Sequence, residues 1–429
     1  MFLHTLPNGL DVLVIEDNSV PLATIMITFK SGAFTEPKNY SGFSGIYQSM
    51  LFKGNKDYYN EQDFNYHSGE LGIQLSNATS TQEYAANYFT LPTSNLEPGL
   101  NFMNTAIRFA KMDPEELERE KKKTDDQLKQ KESSPFFALA DAMDRHIWGE
   151  LYNRKTAIGN HLTTQLASPE LMDTIKNKYY YPNNAILIIG GDVAHDLVFG
   201  MVEKIYGSWK ASNFDPFKKW PIPEFKPLVK PDYFIVESIL ARSPVINIQW
   251  QGPDTRGDLQ STYAADVFSY ILNQKSSKLS TALVQSGLAS SVSIGYTTLK
   301  HVGPISLLVT PNPLKIQACM DEIKRQIVLM DNDDYLSASQ IETAKRMLEI
   351  KSINEEEITT DFVHSMAFWW ASASLNYFGG YYDNLKKVSL ADIKTYVRKY
   401  IKNRPYCAGL LISPQLNKQI SAETFFTAN

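Results

Sequence analysis

Alternation of apolar and polar positions identifies a strand near the start of the chain and a similar strand early in its second half. Residues 24–32 (TIMITFKSG) alternate and end in a glycine, and residues 245–252 (VINIQWQG) do the same. Alternation over this length is typical of a β-strand with one buried face. The terminal glycines, Gly32 and Gly252, differ by 220 in residue number, and a helix is expected after each strand.

A nearly constant offset continues through both halves. Gly69 and Gly287 differ by 218 in residue number, and each precedes a predicted pair of strands. These pairs end at Pro92 and Pro311, which differ by 219. Long helical segments and a further apolar strand follow in each half. We interpret the pattern as a duplication in which each repeat is an α+β layer of sheet and helices. Two unrelated α+β domains with chance matches are the alternative.

A proline-rich stretch separates the repeats. Proline removes a backbone donor and fixes φ, so this stretch is predicted to be an extended linker. Its prolines stand at positions 216, 221, 223, 227 and 231. The predicted division is a first domain at 1–212, a linker at 213–231 and a second domain at 232–429.

Composition excludes several classes of protein. The 42 basic and 47 acidic side chains nearly balance, which gives no indication of nucleic-acid binding. Cys319 and Cys407 are too few for a disulfide framework and match no C-x-x-C metal pattern. No apolar run reaches the roughly 18 to 20 residues of a membrane helix. The localisation stays open between the cytoplasm and export with removal of a signal peptide.

The first half carries a series of short motifs: NGL at 8–10, SG at 31–32, Gly42, MLFKG at 50–54, LG at 71–72, NA at 77–78, ERE at 118–120, YPNN at 181–184 and IGGDV at 189–193. None is specific alone. In this order and spacing they resemble the amino-terminal domain of the M16 peptidase family, which includes pitrilysin, insulinase-type enzymes and the mitochondrial processing peptidase.

The second half resembles the carboxy-terminal domain of the same family through SKL at 277–279 and GLA at 287–289. The resemblance therefore covers nearly the whole chain. It implies an α+β fold of two homologous α/β sandwich domains, which form a clamshell half around a peptide-sized chamber.

In active family members, an inverted H-x-x-E-H motif lies on the helix before the phenylalanine-lysine-glycine turn. Its histidines bind zinc, and its glutamate activates the bound water as general base. Counting back from residues 50–54 without gaps places Gly45 and Ser49 at the histidine positions and Gln48 at the base. The resemblance therefore implies a family site from which these donors have been lost.

The third zinc ligand of the family follows an arginine-glutamate pair by seven residues. Here Arg119 and Glu120 lead to Gln127, which cannot supply an anionic ligand. All four metal and base positions are thus changed together, and we predict that the chain has no family zinc and no other cofactor. Glu120 is retained, but a glutamate in so charged a helix is more often a solvated surface residue.

Two-domain enzymes of the family also donate an arginine and, seven residues later, a tyrosine from the second domain to hold the substrate. Alignment on residues 287–289 places Leu283 and Ser290 there. Both substrate-holding groups are therefore predicted to be absent, although Tyr296 lies only six residues beyond Ser290.

Other catalytic chemistry has no support in the sequence. The seven histidines are His4, His67, His146, His161, His195, His301 and His364. No pair is separated by three to five residues, so no local pair of metal ligands exists at helical spacing. There is no G-x-S-x-G elbow, Walker A loop or Rossmann glycine fingerprint. A metal site assembled from distant histidines stays open, without sequence support.

Peptide binding is the activity that needs none of the lost residues. The family's asparagine-alanine strand lies at a sheet edge, where an extended peptide can add as another strand. The corresponding residues are Ser76, Asn77, Ala78 and Thr79. The alternative is an ordinary edge strand whose asparagine holds a turn.

Three functions follow. The leading prediction is a non-catalytic subunit, structural or substrate-holding, that pairs with an active M16 peptidase chain. The second is a self-standing peptide-binding clamshell protein, with a homodimer as one form. The third is an unusual zinc-dependent endopeptidase with a relocated site.

Overall fold

The structure is a computed structural model that describes residues 1–73, 75–418, 420 and 422–427. These residues form two compact units, each assembled from separate segments of the chain. The first unit combines Met1–Lys129, Asn153–Pro223 and Asn354–Ala371. The second combines Gln130–Tyr152 and Glu224–Ile353 with the chain from Ser372 onward.

Each unit contains one mixed sheet. The strands are β1 Phe2–Thr5, β2 Asp11–Glu16, β3 Leu22–Phe29, β4 Leu75–Ser80, β5 Ala85–Pro92, β6 Ala185–Gly191, β7 Asp232–Glu237, β8 Val245–Gln251, β9 Ala289–Tyr296, β10 Pro304–Pro311 and β11 Cys407–Ile412. The strand order is β1-β2-β6-β3-β5-β4 in the first unit and β7-β11-β8-β10-β9 in the second.

The two sheets share one plan, apart from the additional β1. In each, the first shared strand runs parallel to the last strand of the repeat, and the other neighbours are antiparallel. The parallel register also agrees: Asp11 is paired with Ile186, and Asp232 is paired with Cys407. Both partners differ by 221 between the units, as a duplication predicts.

Helices cover the sheets. They are α1 Phe43–Met50, α2 Glu61–Glu70, α3 Leu96–Arg108, α4 Pro114–Glu132, α5 Pro135–Trp148, α6 His161–Leu166, α7 Pro169–Tyr179, α8 His195–Tyr206, α9 Pro216–Lys219, α10 Leu259–Leu272, α11 Lys278–Ser280, α12 Ile316–Leu329, α13 Ala338–Glu357, α14 Thr359–Ser372, α15 Leu375–Lys387, α16 Leu390–Tyr400, α17 Pro414–Asn417 and α18 Ala422–Thr427.

The central strand β6 is buried on both faces. All seven of its residues are buried, and its apolar run is typical of a strand covered on both sides. Leu187 and Ile189 belong to the main core beneath α1, α3, α7 and α8. On the other face, α14 packs against Gly190, where a Cβ would lie 2.6 Å from a methyl of Val363.

The second unit repeats this arrangement with α5. This helix packs on β7, β8 and β11, and its Leu139 lies over Gly409 of β11. Leu139 and Val363 are both the fifth residue of a 14-residue helix, so α5 and α14 are equivalent elements of the repeat. Each therefore belongs to the compact unit built mainly from the other half of the sequence.

The predicted α+β class is confirmed, with a sheet layered against helices in each unit. The division at residues 213–231 stays a prediction about the sequence repeats. The compact units do not follow it throughout, because α5 precedes it but belongs to the second unit, and α14 follows it but belongs to the first. None of the helices in the described part of the chain is both long and apolar enough to span a bilayer.

Candidate functional site

The helix predicted to correspond to the zinc motif, α1, begins in a tightly packed turn. Gly42 precedes it with a φ of 85°, and a Cβ there would lie 2.7 Å from Gly159. Only glycine fits both this left-handed backbone and this contact. The buried carboxylate of Glu36 accepts the N–H groups of Gly42 and Ser44 at 2.6 and 2.7 Å. It therefore caps the positive end of α1.

Burial raises the pKa of Glu36 to about 7, although its two backbone hydrogen bonds oppose this rise. The neighbouring Arg154 guanidinium also favours the charged carboxylate. Arg154 is itself held by the carbonyl oxygen of Phe34. The N-terminus of α1 is thus fixed by a buried polar network.

The three positions at which the zinc motif is predicted to be altered lie on α1. Gly45 and Ser49 are partly exposed, four residues apart on one helix face, whereas Gln48 is fully buried. Neither amide atom of Gln48 has a hydrogen-bond partner within the described residues. Its main-chain oxygen accepts from Nδ2 of the buried Asn87 on β5 at 3.1 Å, while Oδ1 of Asn87 has no partner there either.

The fourth position lies on α4. Gln127 is exposed, and Glu120, two turns earlier, is 4% exposed. The expectation that Glu120 is a solvated surface residue was therefore wrong. Leu117, Glu120 and Leu128 share the buried face of this charged helix. Oε2 of Glu120 lies 3.7 Å from Nζ of Lys53, in the turn after α1, which compensates the buried carboxylate.

The predicted peptide-binding residues lie on β4, the last strand in the order of the first sheet. Ser76 and Asn77 are exposed, and Ala78 and Thr79 are partly buried. The side chain of Asn77 accepts the N–H of Ala78 at 2.8 Å. Since α1 packs directly on β4, the altered motif and this edge strand form one region.

The two predicted substrate-holding positions of the second unit differ in burial. Leu283 is fully buried in a π-helical turn, Thr281–Gln285, and Ser290 is exposed on β9. The Ser290 hydroxyl donates to the carbonyl oxygen of Thr310 at 3.2 Å. Neither side chain can supply a positive charge or a phenol, and their correspondence to the family's arginine and tyrosine stays a prediction.

Two family models match the chain in succession. The one described as "Insulinase (Peptidase family M16)" matches residues 11–163, and the one described as "Peptidase M16 inactive domain" matches residues 168–348. This chain belongs to the M16 peptidase family. The resemblance inferred from the short motifs is thereby confirmed.

M16 relatives match at low identity. An uncharacterized zinc protease of Bacillus subtilis is 21% identical over 210 residues, which are 49% of this chain and 51% of that protein. The chain thus spans about half the length of this curated relative. A protease from Helicobacter pylori has a similar structure, with a TM-score of 0.83, 20% identity and coverage of 96% of this chain and 99% of that one.

The structure of the periplasmic protease PqqL of Escherichia coli is similar to this chain over half of its length. The structural match has a TM-score of 0.77 at 15% identity, and it covers 100% of this chain but 50% of PqqL. At these identities the likeness concerns the fold.

The residues that are predicted to stand at the M16 zinc position do not fit zinc. Gly45 offers no donor atom, Ser49 is a poor zinc ligand at neutral pH, and Gln48 and Gln127 carry neutral amides in place of carboxylates. The neutral amide of Gln48 cannot accept the proton that a general base removes from water. No hydrolytic step follows from this arrangement.

Sequence analysis missed two residues that shape the region, Glu36 and Asn87. A signal for Asn87 exists, because it is the one amide side chain within the apolar and aromatic run of β5. Glu36 carries no comparable signal, since its role depends on the approach of α1 in the folded chain.

Proposed function

We propose that this chain is a non-catalytic M16 homologue, which serves as a structural or substrate-holding subunit of a peptidase complex with an active M16 partner. The proposal rests on the predicted replacement of all four donor and base positions, which lie in a region that is otherwise built to a fixed shape. Glu36 caps α1, and Glu120 is buried against Lys53.

The comparison with PqqL supports the same proposal. The match covers the whole of this chain and half of that protease, so a fold of this size is one half of a larger M16 protein there. A chain that lacks its own zinc donors is suited to the corresponding position in a two-chain assembly.

The test combines the purified chain with an M16 chain of the same organism that carries an intact H-x-x-E-H motif. We expect a one-to-one complex by size-exclusion chromatography with light scattering, and faster peptide cleavage than by the active chain alone. Separate elution together with unchanged cleavage would contradict the proposal. So would chelator-sensitive, zinc-dependent cleavage by this chain alone.

A second candidate is a self-standing peptide-binding protein, and the edge position of β4 favours it. An extended peptide would add beside residues 75–80 through main-chain hydrogen bonds. Among the described residues, the buried amide atoms of Gln48 and Oδ1 of Asn87 have no hydrogen-bond partner. Gln48 lies on α1, which packs on this strand pair, and Asn87 lies on β5 of the pair itself.

Hydrogen exchange with an extended peptide, in the absence of a partner chain, tests this candidate. We expect protection of the amides of residues 75–80, and its loss in Ala78→Pro. The matched control is Leu3→Pro in β1, at the opposite edge of the same sheet, which should leave the protection intact. Equal exchange with and without peptide would count against peptide binding at this strand.

A further inference from the structure

Three side chains with metal-binding atoms meet in the second unit, far along the sequence from one another. They are His146 on α5, Asp232 at the start of β7 and Cys407 at the start of β11. Nδ1 of His146 lies 2.8 Å from Oδ2 of Asp232. One donor atom from each of the three residues lies within 4.8 Å of the other two.

The fold places these groups with little freedom. β7 and β11 are parallel neighbours, and their first residues, Asp232 and Cys407, are paired in register. The His146 ring is stacked on Phe234 of β7, with 4.4 Å between ring centroids and 15° between planes. Cys407 is fully buried, whereas the His146 and Asp232 side chains are 36% and 43% exposed. The cluster therefore has its thiol on the buried side and its imidazole and carboxylate on the side that faces solvent.

The first unit shows the same place with only the aspartate of the three metal-binding residue types. Trp370 is the twelfth residue of α14, as His146 is of α5, and Asp11 begins β2 as Asp232 begins β7. The indole N–H of Trp370 donates to Oδ2 of Asp11 at 3.1 Å. This bond ties the helix to the strand. Ile186 is paired with Asp11 where the second unit has Cys407.

Docking of the helix thus needs only an N–H donor and a carboxylate. Tryptophan is a donor only, and isoleucine has no lone pair, so the first unit cannot bind a metal there. In the second unit, the positions of Trp370 and Ile186 are taken by a histidine and a cysteine, which are both residue types that can bind a metal. Docking of the helix does not require either of these two differences.

We propose that His146, Asp232 and Cys407 form a binding site for one zinc ion. Sulfur, nitrogen and oxygen donors are the set that Zn²⁺ takes in proteins, with bonds of about 2.0–2.3 Å. Ligand atoms around such an ion lie about 3.3–3.7 Å apart. From separations of at most 4.8 Å, the donors must close by no more than about 1.1–1.5 Å, and the hydrogen bond between His146 and Asp232 must open. Three protein ligands leave a fourth position on the exposed side.

This site is independent of the M16 zinc position and of the proposed partner-subunit role. Thiolate coordination gives a specific readout, because Co²⁺ bound to a thiolate has a near-ultraviolet charge-transfer absorption. A metal bound at the α1 and α4 positions produces no such absorption, since no cysteine lies among Gly45, Gln48, Ser49 and Gln127.

The experiment titrates Co²⁺ into the metal-free full chain and follows that absorption. We expect saturation at one equivalent in the wild type, displacement by Zn²⁺, and loss of the absorption in Cys407→Ser. Cys319→Ser is the matched control, because Cys319 is the other free, fully buried cysteine, and it should behave like the wild type. Absence of the absorption in the wild type, or its persistence in Cys407→Ser, would overturn the proposal.

A second variant separates metal binding from folding. The double substitution His146→Trp and Cys407→Ile installs the residues of the first unit and should keep the helix docked. Zn²⁺ is expected to raise the melting temperature of the wild type and of Cys319→Ser but not that of the double variant. An equal rise in all three proteins would show that zinc acts elsewhere and would also overturn the proposal.

Discussion

Gly45 is a position where the backbone leaves room for a Cβ atom. A Cβ built there would meet Ser80 at 3.9 Å and the carbonyl oxygen of Ala157 at 4.0 Å, which are ordinary van der Waals contacts. The partly exposed Ser49 lies one turn further along the same face. The predicted absence of donors is therefore a matter of side-chain chemistry, and the backbone at Gly45 leaves space for a Cβ.

Restoring the donors should restore zinc binding at α1 and α4. We expect the variant Gly45→His, Gln48→Glu, Ser49→His and Gln127→Glu to bind about one zinc ion per chain. The measurement is metal content after dialysis, in a Cys407→Ser background so that the cluster in the second unit does not contribute. Ser49→His alone supplies one ligand and serves as the control. A fourfold variant without zinc would show that the backbone has moved away from the ligand geometry.

Glu36 should give the stability of the chain a specific pH dependence. Its pKa is about 7 in the folded chain, against an ordinary value of 4.5. Between these values the folded state binds more protons than the unfolded state, so this group lowers the free energy of unfolding as the pH rises.

Urea denaturation of wild type and Glu36→Gln at about pH 5 and about pH 7 measures this dependence. We expect the free energy of unfolding to change less with pH in Glu36→Gln than in the wild type, whatever the stability of the variant at either pH. Glu170→Gln is the control, since hydrogen bonding from Ser168 holds the pKa of this exposed residue below its ordinary value, outside the window. Equal slopes in all three proteins would assign the pH dependence to other groups.

Only part of the candidate site could be predicted from the sequence, and individual residues show why. The positions of Gly45, Gln48 and Ser49 on one short helix followed from the fixed distance to the turn at residues 50–54. The burial of Glu120 did not, because a carboxylate is buried only where a cation meets it. Lys53 lies 67 positions earlier in the chain.

At the scale of elements, α5 and α14 show where the sequence pattern loses information. The strands were predictable from alternation and from the offset between repeats, and their order confirms the duplication. An apolar helix face, however, does not specify which of two similar sheets it covers. Leu139 and Val363 lie at the same helix position and pack over Gly409 of β11 and Gly190 of β6. The sequence alone therefore could not predict that α5 and α14 each pack in the unit built mainly from the other half of the chain.

Gly190 should be necessary for the packing of α14. A Cβ there would lie 2.6 Å from Val363 and 2.9 Å from Thr359, so Gly190→Ala should lower the free energy of unfolding by about 1–3 kcal/mol. Gly200→Ala is the matched control within α8. No atom lies within 4 Å of a Cβ at that position, and alanine should stabilise the helix by up to about 1 kcal/mol. Urea denaturation distinguishes the two, and equal effects would contradict close packing at Gly190.

At the scale of the whole molecule, the sequence repeats and the compact units are different divisions of one chain. The first unit needs residues 354–371, and the second needs residues 130–152. Cutting the connection between the repeats should therefore not release two finished halves.

A protease site inserted at Val229, which is 89% exposed, tests this expectation. After cleavage we expect the two fragments to co-elute on size exclusion under native conditions and to separate in urea. The uncut protein with the same insertion is the control for its effect on folding. Fragments that elute separately without denaturant, each with native circular dichroism, would contradict the unit composition.

The exchange of helices also has a consequence for synthesis on the ribosome. Domains generally fold in order as they emerge, with the amino-terminal one first. Here the first sheet is translated by residue 191, but the helix that covers its second face is not complete until residue 372. During that interval the growing chain carries an uncovered apolar sheet face. A trigger-factor-like holding chaperone should therefore engage nascent chains in this window more strongly than it engages the full-length chain after release.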